Sequence, residues 1–200
     1  MKDQQLALHG LAIKKHGDAA EVSAITGLDA GRVQTFLDEA VTAGRAVKAG
    51  AKYMLTPLAQ VALKSSYSKE FAAERGNEAL SKAYDDFEKI NEHLKQLITD
   101  WQTLDVGGVK VPNDHSNADY DTKIIDKLGS LHERAEPMLD RFSAGLGRLS
   151  VYKTLLQTAL ERAEDGEIAW VSDARTMSYH TVWFELHEDL IRVLGRQRVE

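Results

Sequence analysis

Two hundred residues can form one large domain or two modest ones, and either buries enough surface to fold without covalent staples. Apolar and charged fractions of 43% and 28% are those of a globular protein, and the absence of cysteine excludes disulfides, thiolate metal sites and cysteine nucleophiles. The net charge of −6 is unevenly spread. Residues 1–69 hold seven Lys and two Arg against four Asp and two Glu, a balance of +3, so the remainder carries −9.

Residues 1–11 lack the basic-then-apolar order of a signal peptide, and no apolar run approaches the roughly 18 residues a bilayer span requires. A soluble, cytoplasmic chain with no membrane partner is expected.

In chain order, Leu6, Leu8, Leu11, Ala12 and Ile13 give a first helix, which Gly17 is expected to end. Asp18 is placed to cap a short second helix that stops at Gly27. Asp29 caps a third, whose Val33, Phe36, Leu37, Ala40 and Val41 follow helical spacing up to Gly44. The segments 45–48 and 51–55 read as strands around a tight turn. Thr56-Pro57 then restarts a helix with a capping hydroxyl and a proline at the first helical position.

A long helix is expected from Ser68 to Leu104, with Leu80, Phe87, Leu94 and Trp101 recurring every seven residues. Gly107-Gly108 and Pro112 are expected to break the chain. A second bundle helix carries Ile124 to Phe142 inward, with a kink or restart at Pro137. A third covers Leu149–Ala163 and ends at Gly166, and a fourth spans Thr176–Leu194. The fold expected is mainly α: a winged helix-turn-helix with a small β-hairpin wing over 1–67, then an antiparallel four-helix-type bundle over 68–200.

The stretches "AAEVSAITGLDAGRVQTFLDEAVTAGRAVKAG" and "KYMLTPLAQVAL" resemble the winged helix-turn-helix superfamily, MarR-like regulators in particular, with Leu58-Ala59-Gln60 departing from the usual continuation after Thr-Pro. The resemblance covers about a third of the chain. It implies a third helix whose exposed first turns read the major groove, here Arg32, Gln34 and Thr35, and a wing offering Arg45, Lys48 and Lys52 to phosphates. Double-stranded DNA is the partner it implies, and homodimerisation would place two such helices on successive half-sites. Asp38 and Glu39 lie further along the same helix, and the same residues also read as ordinary surface charge on a module that docks to protein.

The fourth bundle helix is unusual in bringing His180 and His187 onto or beside an apolar face with Tyr179 and Trp183. With Asn91, His132 and Glu185 or Glu188 these could line a pocket for a small-molecule effector, or they could be buried imidazoles bonded to neighbouring carboxylates. Neither a metal nor a catalytic role is expected. His-x6-His is a poor metal spacing, and no Glu-x-x-His pair, nucleophile elbow or phosphate-binding glycine loop occurs. Asp114 beside His115 in a turn-rich loop fits either an oriented imidazole or simple capping.

"TDWQ", "NDHSNADYDTKIIDKLGSLHERAEPMLDRF" and "SYHTVWFELHEDLIRVLGR" together resemble a helical region of actinobacterial proteins. That region occurs with a winged helix, alone or appended to phosphoenolpyruvate-utilising, pyruvate phosphate dikinase-like enzymes. The resemblance spans most of 54–196 and singles out Asp100, Trp101, Asn113, Asp114, His115, Tyr179, His180, Trp183, Glu185 and His187. No cofactor follows from it, and the nucleotide-binding and barrel domains of those enzymes have no counterpart in this length. Two functions are therefore expected in parallel: a DNA-binding transcription regulator with a dimerising or ligand-sensing bundle, and an accessory module docking to a phosphotransfer enzyme. Stand-alone catalysis has only the histidines and carboxylates behind it.

Overall fold

The computed structural model describes residues 1–197. It is mainly helical, with one three-stranded antiparallel sheet and one two-stranded hairpin. Two compact units divide it: residues 1–78 with 185–200, and residues 79–184. The division differs from the expected boundary after residue 67, and the last helix contributes to both units.

In the first unit α1 (Asp3–Lys14) is followed by a two-residue strand β1 (His16–Gly17), α2 (Ala19–Thr26) and α3 (Ala30–Thr42). Strands β2 (Ala46–Ala49) and β3 (Lys52–Leu55), α4 (Pro57–Glu70) and the single turn α5 (Ala72–Arg75) complete its N-terminal part. Local chemistry sets these boundaries. Asp18 accepts the Glu21 amide at 3.0 Å while the Glu21 carboxylate accepts the Asp18 amide at 2.8 Å, a reciprocal capping box. Gly27, at φ +71°, closes α2 in the left-handed region and returns its N–H to the Ser23 carbonyl. Asp29 caps α3, and Thr56 with Pro57 starts α4.

The helix expected to end at Gly17 ends at Lys14, with Lys15 at φ +63°. His16 and Gly17 instead pair with Met54 and Tyr53, so the sheet has the order β1-β3-β2. Ala7, Leu11, Val22, Ile25, Val33, Leu37 and Tyr53 form the apolar core beneath. Helices α1 and α2 approach closely because Gly10 has no side chain: a Cβ there would stand 2.5 Å from the Thr26 methyl.

The second unit holds most of α6 (Glu78–Gln102), then a hairpin of β4 (Thr103–Val106) and β5 (Val109–Pro112), and α7 (Ala118–Gly145). After them come α8 (Ser150–Glu164), the short α9 (Ala169–Ser172) and the first part of α10 (Tyr179–Leu194). Three expectations are corrected here. The helix expected from Ser68 is divided among α4, α5 and α6. Gly107-Gly108, at φ +64° and +84°, does not merely break the chain but makes the two-residue turn of the hairpin. Pro137 lies inside an uninterrupted α7 rather than at a restart. The bundle stripes pack as their spacing predicts, with Phe87, Leu94, Leu128, Phe142, Leu156 and Trp183 buried and the Phe87 and Trp183 rings stacked at 4.7 Å between centroids.

A buried polar network joins distant parts of the first unit. His9 on α1 is fully buried, with Nδ1 2.9 Å from the Tyr67 hydroxyl on α4 and Nε2 2.9 Å from Asp189 Oδ1 on α10. With Nε2–H donating to the Asp189 carboxylate, Nδ1 is left to accept from the Tyr67 hydroxyl. Beside it, Lys14 meets both Glu185 oxygens at 2.7 and 2.9 Å in a second, nearly buried pair. Removing one member of such a pair strands the other in low dielectric. His9→Leu should therefore destabilise the protein by roughly 3–5 kcal/mol in denaturant titrations, and His9→Leu with Asp189→Leu should recover part of that loss. A single variant as stable as the parent would show that the network holds nothing together.

Candidate functional site

The surface first assigned to DNA is built from the start of α3 and from the β2–β3 hairpin. Helix α3 leaves Arg32 and Thr35 exposed and Gln34 half-buried; Arg45, just ahead of β2, and Lys48 on it are exposed, and Lys52 on β3 is half-buried. Almost every one of these groups is engaged within the chain. The Arg32 guanidinium lies 2.7 Å from Asp3. Lys48 lies 3.3 Å from Asp38 and 4.8 Å over the Tyr53 ring. Lys52 reaches both Asp18 and Glu21. Gln34 donates to Asp38 and to the Tyr53 hydroxyl, and Thr35 donates to the Gly31 carbonyl. Among the described residues only Arg45, of the four cations, has no ion-pair partner.

Asp38 is central to this surface. The Tyr53 hydroxyl, then the Gln34 amide, then Lys48, hold its carboxyl down at about 2. Lys48 is raised in turn, by Tyr53 first and Asp38 second, and Lys52 is raised by Glu21 and Asp18. Asp3, Asp18, Glu21, Asp29, Asp38 and Glu39 thus oppose four cations in this region, and the +3 balance of the N-terminal segment is not concentrated on it.

Four exposed apolar side chains of the first unit lie on β2, β3 and α4. Val47 and Met54 are direct cross-strand partners on β2 and β3, 46% and 44% exposed. Leu58 and Val61, one helical turn apart on α4, are 79% and 63% exposed. Met54 and Val61 both line one cavity.

In the second unit, the loop after β5 forms a compact cluster. Asn113 is buried and donates to the Trp101 carbonyl and to Asp121 Oδ1, both at 2.9 Å. Its own Oδ1 accepts the His115 amide at 3.0 Å. His115, held at φ +59°, a conformation few side chains adopt, puts Nδ1 3.0 Å from Asp121 Oδ2 and its ring 4.5 Å from the Trp101 ring. Asp121 is 5% exposed and orients the imidazole, so Nδ1 carries the proton and Nε2 is the ring's acceptor. Among the described residues no hydroxyl bonds to Nε2. The cluster is an oriented imidazole without a nucleophile, suited to accepting a hydrogen bond or a proton. Asp114, expected beside His115 in this role, instead caps the turn through the Ser116 amide.

The remaining predicted residues do not converge on one pocket. His132 Nδ1 lies 3.2 Å from the buried Tyr179 hydroxyl, and its buried Nε2 has no hydrogen-bond partner among the described residues. Trp183 Nε1 donates to Asn91 Oδ1 at 3.1 Å, which satisfies the amide placed within the α6 stripe. His180 is half-buried in the second unit, whereas His187 is buried in the first. No group of three or more His, Asp or Glu among the described residues could hold a metal ion. Sequence reasoning missed His9, Tyr67, Asp189 and Asp121. Of these, Asp121 had a signal, since it stands two turns of polar chain beyond Asn113-Asp114-His115.

No family model, no curated protein and no solved structure matches the chain.

Burial, more than any neighbouring charge, pushes His132 and His180 below the ordinary imidazole value of 6.5. The unfolded chain then binds more protons than the folded one below that value, so stability rises with pH through this window and is lost as pH falls. Denaturant titrations from about pH 7 to about pH 5.5 should show falling stability, and His132→Gln should flatten that slope. An unchanged slope in the variant would exclude His132 as its source.

Proposed function

We propose that residues 1–78 are a winged helix, with α2 and α3 as the helix-turn-helix and β2–β3 as the wing, and that the chain works as a protein-docking regulatory module. The carrying observation is the contrast between two surfaces. On the reading surface, three of four cations are paired with the chain's own carboxylates and Gln34 is held by Asp38 and Tyr53. On the wing strands and α4, by contrast, Val47, Met54, Leu58 and Val61 face solvent. Duplex affinity rests on cations replacing counterions along the phosphates, and this surface has little uncompensated charge for that. Exposed apolar side chains on neighbouring elements, set among polar residues, favour a protein contact.

The resemblance of the helical region to chains found with phosphoenolpyruvate-utilising enzymes names the partner class, a phosphotransfer enzyme. The oriented His115 is the group this reading gives to contact with that partner's substrate or product. A second reading, the dimeric DNA-binding regulator, keeps one favourable observation: Arg32 and Thr35 are exposed in the first turns of α3, and Arg45 is exposed ahead of β2. Exposed ion pairs there are weak because water and salt screen them, and phosphates could displace the carboxylates.

Fluorescence anisotropy with labelled duplexes of random sequence at low salt separates the two. Docking predicts no saturable, salt-dependent binding at micromolar protein. Binding that weakens steeply with salt and falls further in Arg45→Ala with Lys48→Ala would overturn the docking reading in favour of DNA.

A further inference from the structure

The loop between β5 and α7 is fixed at both ends around His115. The Asn113 backbone amide donates to the Gln102 carbonyl at 2.9 Å, where α6 ends, and the Asn117 side chain accepts the Tyr120 amide at 3.1 Å, where α7 begins. Between these ties, the two protons of the Asn113 side-chain amide go to the Trp101 carbonyl and to Asp121 Oδ1. None is left for His115 Nδ1, which stands 3.2 Å from that nitrogen. Nδ1 therefore carries its own proton and gives it to Asp121 Oδ2 at 3.0 Å, which puts the ring's lone pair on Nε2. The imidazole is 26% exposed above a carboxylate that is 7% exposed. Among the described residues Nε2 has no hydrogen-bond partner, and it keeps access to solvent.

We infer that His115 is a phosphoryl-acceptor site, its Nε2 taking the phosphoryl group from an enol, acyl or amino phosphate. The Nε2 lone pair forms the N–P bond while the bond from phosphorus to the leaving group breaks, and that electron pair departs with the leaving group. The ring gains a positive charge, which its Nδ1–H shares with the Asp121 carboxylate. Three features favour this role. No hydroxyl stands at Nε2 to be activated, so the imidazole is itself the available nucleophile. The buried Asp121 admits one tautomer, the one whose lone pair is on the accessible nitrogen. The Trp101 ring, 4.5 Å away between centroids, and the left-handed backbone at φ +59° hold the imidazole in place before a donor arrives. Asp121 is a positioning residue; the adjacent Asp114 is turned to the Ser116 amide instead.

The inference rests on the phosphotransfer reading for its natural donor, so it is tested with a chemical one. The full chain is incubated with potassium phosphoramidate, and labelled histidines are located by peptide mass spectrometry under alkaline conditions. His16 and His93, both exposed, are internal standards. His115 is expected to label about tenfold or more faster than either, with the phosphoryl group on Nε2 by phosphorus NMR. Asp121→Asn should bring its rate down to that of the standards. The new amide's oxygen accepts from Asn113 and its nitrogen faces Nδ1, which moves the ring proton to Nε2, and nitrogen NMR of the imidazole reads that change of tautomer. Should this variant fail to fold, the parent's tautomer still decides, since a proton on Nε2 there would overturn the assignment. Labelling of His115 no faster than the standards, a phosphoryl group on Nδ1, or an unchanged rate in folded Asp121→Asn would overturn it as well. Rapid labelling of His115 in a chain that also binds duplex in the anisotropy titration would support the acceptor site and remove only the docking reading.

Discussion

The bonds of His9 to Asp189 and to Tyr67 constrain the first unit more than any other interaction in it. They tie the first helix to the fourth and to the last, across 180 residues of sequence between His9 and Asp189. Lys14 and Glu185 repeat the link one turn away, with Glu185 raised by its burial despite the lysine. Residues 185–194 thereby belong to the unit that begins the chain, because these pairs hold that helix segment against α1 and α4. Buried ionic groups add little net stability, but they are intolerant of misplacement and so specify one arrangement.

The surface of that unit shows how a charge count can mislead. Nine cations against six carboxylates in residues 1–69 read as a basic head. Folding then brings Asp3 to Arg32, Asp38 to Lys48, and Asp18 with Glu21 to Lys52, so each of these three cations stands beside a carboxylate. Sequence gives the number of charges; only the fold says which neighbours they meet.

Local signals were the legible part of this molecule. The capping box at Asp18–Glu21, the left-handed Gly27 and the Thr56-Pro57 start are short-range chemistry and lie where the sequence puts them. The seven-residue stripes of α6 and the inward residues of α7 and α8 were equally readable, because burial of one helix face imposes a period. Strand β1 was not, since two residues carry no alternation and its pairing with Tyr53 and Met54 is non-local. Gly107-Gly108 reads from sequence as a chain break, because four-residue strands on either side carry too short an alternation to announce the Val106–Val109 pairing. His9 was hidden for a different reason: its partners lie on two remote helices, and no spacing near Leu8 announces them. At the candidate sites, Asn113 and His115 proved to be neighbours with Trp101. His132 and Tyr179 formed a separate contact, because each imidazole found its own partner rather than a common ligand.

On the proposed reading, the chain's own carboxylates occupy the cations that a duplex would need. Its most direct test is to remove them. Asp3→Asn with Asp38→Asn releases Arg32 and Lys48 at exposed positions, and duplex affinity of this variant is compared with the parent across a salt series. The account predicts that binding appears, with a salt slope steeper by about two for the two cations released. A parent and variant that bind duplex equally well, or equally poorly, would contradict it.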